Sequence, residues 1–124
     1  MSSRVLVFSR DPMLLETRQL ILEAFFQVRG AATLEDAEAL LAMGPFDLII
    51  LCSTLSEPEF KQIFEVVEFQ KRQPQILIVS ALGWERLPHM PDHVHSVEPG
   101  PYQLLKRSAE ILGVDLEAPG LVGV

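Results

Sequence analysis

The chain has 124 residues, of which 48% are hydrophobic, and carries a formal net charge of −7. That length fits one domain with a proper core, and the acidic balance opposes nonspecific binding to nucleic acid or to anionic lipid, both of which need a basic face. A single cysteine excludes an intramolecular disulfide and a Cys-rich zinc site.

The N-terminus runs directly into the apolar segment Val5-Leu6-Val7-Phe8, which reads as a strand covered on both faces. The sequence offers no signal peptide and no apolar run long enough to span a bilayer, so the expected setting is the cytoplasm. Asp11-Pro12 then opens a helix, with Asp11 as cap and Pro12 at the first helical position. Leu14, Leu15, Arg18, Ile21, Leu22 and Phe25 follow at helical spacing, and the apolar members predict a core-facing stripe. Gln27 to Ala31 is a short strand of weak alternation, as at a sheet edge. Thr33, with Asp36 three residues on, resembles a capping box. The helix it opens buries Leu34, Ala37, Leu40 and Leu41 and stops at Gly44-Pro45.

Asp47 to Leu51 is the third strand. Ser56 with Glu59 is a better capping box, and it opens a helix through Phe60, Ile63, Phe64 and Val67. Gln75 to Val79 is the fourth strand. Gly83, Pro88 and Pro91 then break the rhythm, so residues 81–92 hold one short turn at most. His93 to Val97 is the fifth strand, and Tyr102 to Leu112 the last helix, ended by Gly113. His93 and His95 share a face of that strand, with His89 just before it. No cysteine or acid stands at ligand spacing from them, so they read as ordinary loop and strand histidines, with no metal.

Strands alternating with helices predict βαβ units, a parallel sheet and helices on both faces. Five strands fit the flavodoxin-like order 2-1-3-4-5, an α/β three-layer sandwich. Its site lies at the carboxyl ends of strands one and three, where the order switches. The domain is expected over residues 4–112, with 113–124 as a C-terminal tail.

Several segments carry a resemblance to a known family. They are Val5 to Phe8 followed by Ser9-Arg10-Asp11-Pro12, then Ala37 to Leu41, Phe46 to Leu51, Ile76 to Ala81, and Glu98-Pro99. Together they make the chain similar to the CheY-like receiver domains of response regulators. The resemblance implies where the family's chemistry would fall. The acidic pair that holds magnesium falls on Ser9 and Arg10, and the phosphoacceptor aspartate on Cys52. The hydroxyl that senses the phosphoryl group falls on Ser80 and is kept. The lysine falls on Glu98, and the switch aromatic on His95. Ser9 and Arg10 supply no carboxylate to a magnesium ion, and a thiol forms no acyl phosphate.

The resemblance therefore implies a pseudo-receiver with a dead phosphorylation site, no cofactor and no enzymatic activity. It would act as a phosphorylation-independent module in two-component signalling, with a kinase, a regulator, an output domain or a second copy of the chain as partner. Arg10 and Glu98 are expected to approach each other and close the pocket, a half-exposed pair worth about 0.5–1 kcal/mol. The fourth helix of the family is expected to be shortened or lost. The candidate partner surface around it is Trp84, Leu87, Met90 and Tyr102, since Trp and Tyr are typical binding anchors. Two alternatives stand beside this reading. One is a redox switch, with Cys52 activated by Arg10. The other is a small-anion or ligand site at Ser9, Ser53, Thr54 and Ser56 beside Arg10.

Overall fold

The computed structural model describes residues 3–52, 55–68, 70, 73–79 and 93–114. Nine elements follow in order: β1 (Arg4–Phe8), α1 (Pro12–Glu23), β2 (Gln27–Ala31), α2 (Leu34–Met43), β3 (Leu48–Cys52), α3 (Glu57–Glu68), β4 (Gln75–Val79), β5 (Val94–Val97) and α4 (Pro101–Leu112). The strands form one parallel sheet of order β2-β1-β3-β4-β5. The flavodoxin-like architecture expected from the sequence is the one adopted.

The sheet divides the core into two layers, as the period of two along each strand requires. On one face Leu6, Phe8, Ile49, Leu51, Ile76 and Ile78 pack under α2 and α3, with Ala37, Leu41, Phe60 and Ile63. On the other, Val5, Val7, Leu48, Ile50, Leu77 and Val79 pack under α1 and α4, with Leu22, Leu104 and Ala109. Cys52 belongs to this second layer. All five residues of β3 are buried, whereas β2 alternates toward exposure as an edge strand should.

Asp47 pins the start of β3 to β1. Its Oδ2 accepts from the Arg4 backbone N–H at 2.8 Å, and its own N–H donates to the Arg4 carbonyl at 2.8 Å. The Arg4 guanidinium also lies over the Phe46 ring, 4.8 Å from its centroid.

The helix ends follow the capping chemistry in the sequence. Asp11 Oδ1 accepts from the N–H groups of Met13 and Leu14. The Ser56–Glu59 box closes in both directions, with Ser56 N–H donating to Glu59 Oε1 at 2.9 Å and Glu59 N–H to Ser56 Oγ at 3.4 Å. The Thr33 box closes only one way among the described residues: Asp36 N–H donates to Thr33 Oγ1 at 3.1 Å. Aspartate is one methylene shorter than the glutamate that normally completes the return bond. α4 ends at Gly113, whose φ of +70° is the left-handed conformation that glycine adopts without strain.

Two expectations need correction. Leu14 is not in the core stripe of α1. It sits in the capped first turn and is 37% exposed, while Arg18 is buried at 8%. The third strand is shifted one residue, ending on Cys52 rather than Leu51, so the thiol is held within the ladder opposite Val79. The expected loss of the family's fourth helix and the tail beyond Val114 lie outside the described residues. Among the described residues, no helix is long and apolar enough to cross a membrane.

Candidate functional site at the carboxyl ends of β1 and β3

The switch in strand order falls between β1 and β3, and Ser9 and Cys52 mark their carboxyl ends. Both residues are fully buried. Ser9 N–H donates to the Ala31 carbonyl at 3.1 Å, extending the β1–β2 ladder by one residue. Its Oγ accepts from Asp11 N–H at 3.3 Å, which tightens the turn into α1.

Arg10 turns outward from this position and is held by Glu59 of α3. Its Nε donates to Glu59 Oε2 at 2.6 Å, and Nη2 contacts the same oxygen. Glu59 Oε1 takes both the N–H and the hydroxyl of Ser56. Each carboxylate oxygen thus has its own task, one ending the β1–α1 loop and the other capping α3. Burial opposes ionisation of Glu59, but the bonds from Arg10 and Ser56 outweigh it and hold the carboxyl below its ordinary range.

The expected Arg10–Glu98 pair does not form. Glu98 follows the last residue of β5, is exposed, and makes no ion pair among the described residues. A carboxylate already anchored at the first turn of α3 is the nearer and better-fixed partner. The unused second oxygen of the Ser56–Glu59 box was the sequence signal for it.

Cys52 also differs from expectation. The cation beside it is Arg18 of α1, not Arg10, and Ser9 is its other polar neighbour. Burial pushes the thiol up, and the pull of Arg18 does not reverse this. A buried thiol above its ordinary range is a poor nucleophile, so the redox alternative loses its chemical basis. The small-anion cluster drawn around Arg10 is described only in part. Arg10 and Ser56 are both committed to Glu59, while Ser53 and Thr54 lie outside the described residues. An open cleft of about 670 Å³, lined by Arg4, Glu23, Phe26, Gln27, Val28 and Arg29, lies at the amino ends of β1 and β2, away from the switch point.

His95 sits half-buried on β5 between β4 and α4. Its Nε2 is 2.8 Å from Gln75 Oε1, and its Nδ1 is 3.4 Å from Arg107 Nη2. A neutral ring with the proton on Nε2 satisfies both contacts, donating to Gln75 and accepting from Arg107. Burial first, then the charges of Arg107 and His93, lower its pKa. The folded state therefore disfavours the proton that the unfolded chain takes up near pH 6.5. Stability is complete above that pH and declines as pH falls through the lowered folded value. Melting curves of wild type and His95→Gln between pH 8 and 5 check this. The wild type should lose more of its Tm on acidification, and equal losses would remove the assignment.

Tyr102, the one member of the candidate partner surface within the described residues, is 65% exposed on the first turn of α4. Ser80, Trp84, Leu87 and Met90 lie outside them.

No protein-family model matches the chain, and no curated protein matches it in sequence. Solved structures do match. A putative response regulator from Chloroflexus aurantiacus aligns at TM-score 0.74 with 20% identity, over 91% of this chain and 99% of that one. A CheY-like receiver domain from Methylobacillus flagellatus aligns at 0.71 with 16% identity, over 90% and 99%. The fold is that of a receiver domain. The anti-anti-sigma factor PhyR from Bartonella quintana also contains it, at TM-score 0.72 and 17% identity, with this chain spanning 48% of that one.

Proposed function

We propose that this chain is a receiver-type signalling module that acts by protein contact, with no phosphorylation of its own. The observation that supports this most is what occupies the switch point. A buried thiol, Cys52, stands at the end of β3, and Ser9 and Arg10 stand at the end of β1. Magnesium needs hard oxygen ligands there, and the nearby carboxylates among the described residues are committed elsewhere, Glu59 to Arg10 and Ser56 and Asp11 to the N–H groups of Met13 and Leu14. Without an ion, charge developing on a transferred phosphoryl group has no clamp.

The partner under this reading is a kinase, a regulator or an output domain in the cytoplasm, or a second copy of the chain. Tyr102, with Trp84, Leu87 and Met90, forms the contact surface. His95, at the position of the family's switch aromatic, is held by Gln75 and Arg107. Glu98, exposed where the family's lysine would fall, puts a carboxylate rather than a cation at that position.

Amide NMR with magnesium and beryllofluoride, the aspartyl-phosphate mimic, tests the reading. We expect no saturable shift at Ser9, Cys52 or Ser80 that depends on magnesium. Saturable shifts at those three amides that require magnesium and beryllofluoride together would overturn it.

A further inference from the structure

Arg18 is a cation without a matching anion among the described residues. It is 8% exposed, and its Nη1 is buried with no hydrogen-bond partner. Among the described residues, ion pairs join Arg10 to Glu59 and Arg107 to Glu110, and neither involves Arg18. Its neighbours are the Cys52 thiol and, beside that, the Ser9 hydroxyl. Around them lies the apolar layer of Val7, Leu22, Val79 and Leu104. A guanidinium is a permanent cation, and a buried charge requires a counter-charge or strong hydrogen bonding. Cys52 does not supply one, because burial favours its neutral thiol. Ser108, on the helix that packs with α1 over the same sheet face, has a second buried polar atom without a partner, its Oγ.

We propose that a small inorganic anion, of chloride to phosphate size, binds Arg18 in the interior between α1 and the carboxyl ends of β1 and β3. Two groups gathered there are able to donate, the guanidinium N–H of Arg18 and the thiol S–H of Cys52, while the Ser9 hydroxyl already donates to the Asp11 carbonyl. An acceptor-only, negatively charged ligand fits that set. A water molecule could take a hydrogen bond but would leave the charge uncompensated. The site is separate from the protein-contact surface at α4. It gives the module a means of sensing anion concentration through its stability.

Thermal melts at fixed ionic strength test the proposal, with sodium gluconate exchanged for sodium chloride in one series and for sodium phosphate in another. Wild type should gain about 5 °C in Tm, saturably, in at least one series, and Arg18→Met should gain nothing. The proposal is overturned if both series match gluconate, or if Arg18→Met gains as much as wild type. Should Arg18→Met fail to fold, the wild type decides. Saturable movement of the Arg18 Nε–H and Cys52 amide resonances supports the site, and stationary resonances remove it.

Discussion

Ile50→Ala should lower the unfolding free energy by about 3–4 kcal/mol. Ile50 is fully buried at the middle of β3, the strand flanked by β1 and β4, and it packs in the layer beneath α1 and α4. Truncation removes three carbons from a site closed on both sides by paired strands, so little collapse can fill the space. A domain of this size is stable by about 5–15 kcal/mol in all, so the loss is a large part of the whole. Denaturant unfolding measures it, with Leu20→Ala as control. Leu20 is 64% exposed on α1, and its truncation should stay within about 0.5 kcal/mol of wild type. An Ile50→Ala loss below about 1 kcal/mol would mean that β3 is not the central strand.

The second large effect belongs to Glu59. Glu59→Ala should cost about 2 kcal/mol, because it removes the return half of the α3 capping box, worth about 1 kcal/mol, and the pairing with half-exposed Arg10, worth about 0.5–1 kcal/mol. Glu59→Gln keeps an acceptor for Ser56 and should lose only about half as much. The sign of the pH dependence follows from the lowered carboxyl. The stabilisation is present above the ordinary glutamate range near pH 4.3 and is lost as pH falls through the lower folded value. Unfolding measured from pH 7 to pH 3 should therefore bring wild type toward Glu59→Gln at the acid end. A constant gap between the two across that range would mean that the charge of Glu59 plays no part.

The architecture was legible because each strand is a short apolar run bounded by turn or capping residues. Gln27 to Ala31 and Gln75 to Val79 stand where the sequence put them, and Asp11 and Ser56 cap the helices they precede. The site was less legible because it depends on long side chains whose direction a pattern does not reveal. Arg18 occupies a core-facing position between Leu15 and Leu22, and its place in that stripe was the only sign that it would enter the interior. Arg10 was matched to Glu98 by the sign logic of the receiver pocket. The deciding geometry was instead the capping box 49 residues away, whose carboxylate had one oxygen to spare. Cys52 was visible as a substitution, but its apolar surroundings became clear only when α1 and α4 closed over that face of the sheet.

The fully apolar character of β3 also bears on how the chain reaches this state. Leu-Ile-Ile-Leu-Cys contains no charge, and Asp47 is the only acidic residue immediately beside it. Such a segment is inert once β1 and β4 lie on either side, yet it is an aggregation hazard while either neighbour is missing. During synthesis β1 is already present and β4 has still to emerge, and parallel strands find each other slowly because their contacts are distant in sequence. The nascent chain therefore passes through an interval in which one edge of its most hydrophobic strand is open to other molecules. Refolding from denaturant accordingly favours dilute protein, where an intramolecular β4 reaches that edge before a second chain does.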